Sequence, residues 1–292
     1  MNRPSNIEAV RSIQGFNAYV LANQAVELTM VPDLGARIIS LKDRRTGREW
    51  LWHPAKTLKL FKNRPFDDFA ASPLVGMDEC LPTIQPCAWG GRQLADHGEV
   101  WSQPWQFQES AGGRNALVVS LRLKHSPFHF KRTTQLNGSE VRFNYELTNL
   151  AAVEEKFVWS LHPLLRLRPG DELELPGSTR QLFNGNAWID SVDSAIPGNG
   201  CAKVFAHPIR VGRAAIRNRQ QADRLEFIWN PNENQALGLW LTRGGWHGHH
   251  HFAIEPTNAG DDSLAVAAGR NRCGIVAGGA TVSWKLSLRV GT

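Results

Sequence analysis

The sequence predicts an all-β protein, a large antiparallel β-sandwich with few and short helices. Apolar and polar residues alternate at period two through segment after segment. The 26 Gly and 16 Pro fall as punctuation between those short segments. No stretch sustains an i, i+3, i+4, i+7 apolar pattern over three turns, which is what a packed helix needs.

In chain order, strands are expected at residues 26–30, 37–41 and 117–123. A hairpin follows, in which residues 131–136 run into Asn137-Gly138, a dipeptide that readily adopts positive φ in a two-residue turn. Its second arm is the clearest strand of all: Val141, Phe143, Tyr145 and Leu147 point one way, and Arg142, Asn144, Glu146 and Thr148 the other. Further strands are expected at residues 225–229 and 236–241, and Val282, Trp284, Leu286, Leu288 and Val290 mark a long strand near the end. With no linker of biased composition and no internal repeat, residues 1–292 read as a single sandwich domain, a length that all-β folds reach as one unit.

Composition narrows the function. Hydrophobic residues make up 42% and charged residues 21%, as in an ordinary globular protein. The net charge of +6 and pI of about 9.4 raise nucleic acid, a membrane or an anionic substrate as partners. The basic residues are scattered and no recognition module is visible, so neither nucleic acid nor a membrane is expected as partner. MNRPSNIEAV lacks the apolar core of a secretory signal, no run of 18 apolar residues follows, and a cytoplasmic location is the expectation. Cys80, Cys87, Cys201 and Cys273 have neither the spacing of a structural zinc site nor the density of a disulfide framework.

Three segments carry residues suited to chemistry. Residues 76–101, GMDECLPTIQPCAWGGRQLADHGEVW, read as a long loop, a feature that is uncommon unless functional. Residues 158–177, VWSLHPLLRLRPGDELELPG, set His162 in an apolar stretch, and in residues 251–260, HFAIEPTNAG, Glu255 ends an apolar strand against a proline. Each also has an ordinary reading. His162 suits a core histidine, Glu255 a strand-end carboxylate, and His97 with Asp96 and Glu99 a solvated cluster. Spacing alone does not bring the three together.

Together, however, these segments resemble the aldose 1-epimerase, or galactose mutarotase-like, family. VPDLGARIISLKDRRTGREWLW is similar to its opening hairpin, PTIQPCAWGGRQLADHGEVW to its His-Gly loop, SLHPLLRL to its second histidine strand and FAIEPTNAG to its glutamate segment. The segments follow the family's order over nearly the whole chain. The resemblance implies a galactose mutarotase-like supersandwich and an isomerase that interconverts sugar anomers. It assigns Glu255 as general base, His162 as general acid and His97 as the histidine holding the ring oxygen and adjacent hydroxyl. The family's sugar-binding arginine has no match before the His-Gly loop, where Asp78 and Glu79 stand instead, and Arg37 is the candidate substitute. For its substrate-binding aspartate, Asp190 and Asp193 are nearest in order.

Opening a pyranose removes a proton from the anomeric hydroxyl and delivers one to the ring oxygen, so one base and one acid suffice. No cofactor is expected. The 11 Trp against 2 Tyr suit the apolar faces of a sugar ring. Trp159 and Trp284 read as core, whereas Trp89, Trp101 and Trp246 are sugar-facing candidates. In WHGHHH, residues 246–251, the two-residue period would set His249 and His251 on one face with Glu255. That donor set suits zinc, but ligands alternating along one strand converge poorly, and no metal is expected. His249 or His251 is instead a candidate for lining the cleft. The substrate is thus a free sugar or a sugar phosphate, with Arg37, Arg92 and Arg243 available for a phosphate, in a monomer or homodimer. A hexose-phosphate epimerase and a non-catalytic carbohydrate-binding sandwich are the alternatives.

Overall fold

The computed structural model describes residues 6–54, 58–72, 75–108, 115–175, 177, 181–182 and 200–291. The first part of the chain forms β1 (Asn6–Ile13), β2 (Phe16–Ala22), β3 (Val26–Val31), β4 (Arg37–Asp43) and β5 (Met77–Cys80). The short strands β6 (Cys87–Trp89), β7 (Arg92–Leu94) and β8 (Gln106–Gln108) come next. Then follow β9 (Ala116–Arg122), β10 (Phe128–Asn137), β11 (Glu140–Asn149), β12 (Glu155–Phe157), β13 (Ser160–Pro163), β14 (Asp171–Glu174) and β15 (Gln181–Leu182). The rest of the chain supplies β16 (Cys201–Ala206), β17 (Arg213–Asn218), β18 (Asp223–Trp229), β19 (Ala236–Arg243), β20 (His250–Thr257), β21 (Gly274–Val276) and β22 (Thr281–Gly291). One short α-helix, α1 (Leu264–Gly269), follows β20.

Two nine-stranded sheets, ordered β1-β2-β3-β4-β5-β13-β20-β19-β16 and β15-β14-β17-β18-β22-β11-β10-β9-β8, make the expected sandwich, and every strand pairing within them is antiparallel. Along β11, Val141, Phe143, Tyr145 and Leu147 are buried while the residues between them are partly or fully exposed. That alternation lets one face of the second sheet enter the common core with Phe130, Trp159 and Trp284. At about 25 cal/mol per Å² of apolar area removed from water, side chains of this size dominate the stabilisation.

The structure corrects three local expectations. Asn137 pairs with Glu140, so the hairpin turns on Gly138 and Ser139, and Gly138 supplies the positive φ of 57°. Residues 76–101 are not a structureless loop but hold β5 and the β6–β7 hairpin. Glu255 does not end its strand, because β20 continues through Pro256 to Thr257.

The two faces of the first sheet differ in kind. Alternation along β5 sends Glu79 between the sheets, where Arg132 of β10 donates to it at 2.7 Å and the Trp159 indole N–H at 3.3 Å. Asp78 consequently points to the opposite face, the one turned away from the second sheet. At the far side of the core, Arg48 donates to Asp171 of β14 at 3.1 and 2.7 Å and to Asp223 of β18 at 2.5 Å, which ties the two sheets.

Candidate active site

Strand register lays one row of residues across the outer face of the first sheet. Ile38 opposes Met77, which sets Arg37 beside Asp78; Asp78 opposes His162 directly. Ser160 opposes Thr257, so two residues along each antiparallel strand His162 meets Glu255, which opposes Gly238, which opposes Phe205. Segments far apart in sequence thus deliver their polar side chains to one line.

Within that row, Arg37 donates to Asp78 Oδ2 at 2.9 Å, and Asp78 Oδ1 lies 3.0 Å from His162 Nδ1. Burial alone would raise the Asp78 carboxyl, but the Arg37 guanidinium, the His162 hydrogen bond and the charges of His162 and His97 outweigh it and hold the group below its ordinary value. An ionised Asp78 can only accept, so His162 carries a proton on Nδ1 and turns Nε2 toward Glu255. Nε2 is 4.0 Å from Glu255 Oε1, too far for a hydrogen bond.

Glu255 is fully buried beside His162. Its Oε2 accepts from Lys203 Nζ, while Oε1 has no partner within the protein. Lys203 belongs to the edge strand β16 and also lies 3.6 Å from Asp262 Oδ1. Burial would lower the ammonium, and the Glu255 and Asp262 carboxylates overturn this and keep it above its ordinary value. An acceptor buried without a partner costs free energy, and an arriving hydroxyl would relieve that cost.

His97 reaches the same place from the loop after β7. Its own φ is 56° and that of Gly98 is 72°. A Cβ on Gly98 would stand 2.0 Å from the Leu81 carbonyl oxygen, so only glycine allows this turn to sit against β5. The His97 ring stacks on Phe69 at 3.6 Å, its Nδ1 lies 2.9 Å from Asp96, and it meets the His162 ring edge-on at 5.1 Å. Burial lowers its pKa, and the Asp96 hydrogen bond only partly opposes this.

His97, His162 and Lys203 border a cleft of about 240 Å³, and Glu255 is fully buried against His162 and Lys203 rather than part of its lining. Phe69, His97, His162 and Lys203 line it together with Asp96 and Asp262, and Trp240, Trp246 and His251 close the other side. His251 is buried, and the Trp240 indole N–H donates to its Nε2 at 3.1 Å.

The three residues expected to be catalytic therefore converge. Trp246 and His251 line the cleft, whereas the other substrate-binding candidates do not. Glu79 is turned into the core, Trp101 is buried behind Phe69 with its N–H on the Asp96 carbonyl, and Arg37 and Asp78 lie beneath the floor as supports for His162. Trp89 packs in a separate apolar cluster around Cys80 and Val158. His249 stands just before β20, where its ring packs edge-on against Trp52 and Trp246, the two tryptophans that His251 also meets. Among the described residues no three His, Cys, Asp or Glu side chains are grouped to hold a metal ion, and no helix is long and apolar enough to cross a membrane. Asp190 and Asp193 lie outside the described residues. Sequence reasoning missed Phe69, Lys203, Trp240 and Asp262; none belongs to a motif, and only the strand register reveals Lys203 and Trp240.

The model of the family described as aldose 1-epimerase matches residues 17–197, more than half the chain. No sequence among the curated proteins matches significantly. Solved structures share the fold at low identity. A galactose mutarotase-like protein from Clostridium acetobutylicum superposes with a TM-score of 0.72 at 16% identity, over 97% of this chain and 98% of that one. The Slr1438 protein from Synechocystis sp. PCC 6803 gives 0.71 at 18% identity, over 94% and 96%. A galactose mutarotase related enzyme from Lactobacillus acidophilus gives 0.66 at 14%, over 94% and 97%.

Proposed function

The chain belongs to the aldose 1-epimerase family, and from that premise we propose that it is a mutarotase that interconverts the anomers of a free aldose by acid–base ring opening. The observation that carries this reading is the 4.0 Å separation of Glu255 Oε1 from Nε2 of His162, which lines a cleft of about 240 Å³. Glu255 takes the proton of the anomeric hydroxyl while the imidazolium form of His162 delivers one to the ring oxygen. The opened C1 carbonyl is then re-attacked from either face as the two groups exchange roles. Asp78, anchored by Arg37, keeps the His162 ring in place and compensates its positive form. His97 takes the role the family resemblance implies for it, holding the ring oxygen and the neighbouring hydroxyl.

A neutral sugar suits the cleft better than a sugar phosphate. Lys203 is the one lysine or arginine among the described residues lining it, and two carboxylates already engage that ammonium. Arg37 is committed to Asp78 beneath the floor, and Arg92 pairs with Glu155 at 2.6 Å away from it. Paired acid and base groups also favour an enzyme over a silent binding sandwich. NMR exchange between α and β anomers, across free and phosphorylated sugars with catalytic amounts of protein, tests the reading. Faster exchange of free aldoses is the expected result; exchange confined to phosphorylated sugars, or none, would overturn it.

A further inference from the structure

We propose that Lys203 is a positioning residue for the base: it occupies Glu255 Oε2 from the edge strand β16, across the intervening β19, and so assigns proton abstraction to Oε1. This rests on the epimerase reading of the site and goes beyond it, since Lys203 belongs to none of the segments that carry the resemblance.

The geometry is particular to this sheet. Lys203 of β16 opposes Trp240 of β19, and Glu255 of β20 opposes Gly238, so the ammonium must cross an intervening strand to reach the carboxylate. Gly238 leaves the lane open. A Cβ there would lie 3.2 Å from Lys203 Cε and 3.3 Å from Glu255 Oε2, and any larger side chain would wedge the pair apart. With Oε2 taken, the one unpartnered oxygen is Oε1, on the His162 side of the carboxylate.

The groups facing Glu255 are His162 from β13, Lys203 from β16, Asp262 from the loop after β20, and Cys80 from β5, with Asp78 and His97 further off. Lys203 is the permanent cation closest to the carboxylate. Asp262 draws on the same ammonium and keeps it over the floor instead of free in the cleft.

The test compares Lys203→Met, Lys203→Arg and Gly238→Val with the parent protein for anomer exchange of a reactive aldose as a function of pH. Withdrawing the ammonium disfavours the ionised form of a buried carboxylate, so in Lys203→Met the acidic limb of the rate profile should move upward by about one pH unit or more. The rate below that limb should fall about tenfold or more, with KM changed much less. Lys203→Arg should restore the parent profile, and Gly238→Val should reproduce the Met variant with Lys203 still present. An unmoved acidic limb in both Lys203→Met and Gly238→Val would overturn the proposal. A loss confined to KM would do so too, by making Lys203 a substrate contact. Infrared titration of the carboxyl band that disappears in Glu255→Gln reads the same shift without catalysis. If the parent protein exchanges no anomers, the functional reading fails while this titration still decides the role of Lys203.

Discussion

The Trp240 indole N–H donates to His251 Nε2 at 3.1 Å, and this one bond settles which nitrogen of His251 carries the proton. An indole only donates, so Nε2 must accept and the neutral ring holds its proton on Nδ1. That Nδ1 is buried without a partner at the wall of the cleft. Burial, followed by the charges of His162, His249 and His250, lowers the His251 pKa from 6.5 to about 3.

A histidine buried neutral makes stability depend on pH. Its folded-state pKa lies below 6.5, so the unfolded chain binds the proton first, and stability is lost as pH falls from about 6.5 toward about 3. The slope from this residue is at most about 1.4 kcal/mol per pH unit. His251→Gln should flatten that part of the curve. Urea unfolding of both proteins from pH 7 to pH 4 checks it, and parallel curves would remove His251 as the cause.

Glu255→Gln should lose about 10²–10⁴-fold in anomer exchange while still binding sugar, because an amide keeps the shape but cannot accept the proton. NMR exchange rates and a calorimetric titration with the same aldose measure the two effects separately. Loss of binding equal to the loss of rate would make Glu255 a structural carboxylate.

Asp78→Asn should lower the exchange rate on the order of 10²-fold, since an amide at 3.0 Å can offer His162 Nδ1 a donor and stabilise the wrong tautomer. Ring-nitrogen chemical shifts of His162 would report the change directly. The carboxyl of Asp78 lies below its ordinary 3.8, so the stability it contributes is present above that value and is lost as pH falls through the lowered one. Acid unfolding below about pH 4 should therefore be shallower in Asp78→Asn.

Gly98→Ala should destabilise the protein by about 2 kcal/mol or more and displace His97 as well. The φ of 72° and the Leu81 carbonyl oxygen 2.0 Å from the added carbon leave the loop no local adjustment. A thermal midpoint and an exchange rate both equal to those of the parent would show that the turn can yield.

The sandwich was legible in the sequence because period-two alternation is a local signal: each residue of β11 and β22 records its own side of its sheet. His97, His162 and Glu255 were legible only through resemblance, since register, and not spacing, brings their strands and loop together. Lys203 was not legible. Its strand reads as a half-exposed edge, and its reach to Glu255 depends on a glycine in a different strand. Trp101 and Glu79 were misplaced for a related reason. A loop tryptophan can fold back under its own loop, and neighbouring carboxylates on a strand face opposite ways, so Asp78 supports the site while Glu79 serves the core.

The row of charges across the first sheet has a consequence for the solution in which the protein works. Arg37 and Lys203 are set against Asp78, Glu255 and Asp262, with Asp96 beside His97, so the site holds more carboxylates than permanent cations although the chain as a whole carries +6. Exposed charges separated by more than a Debye length, about 8 Å at physiological ionic strength, are screened by salt, but buried pairs are screened much less. The basic surface therefore gives no steering to an uncharged ligand, and Glu255 and His162 sit beside their own counter-charges. Encounter, binding and proton transfer should all proceed at nearly the same rates in dilute buffer and in concentrated salt, and the surface can gain or lose basic residues without retuning the site.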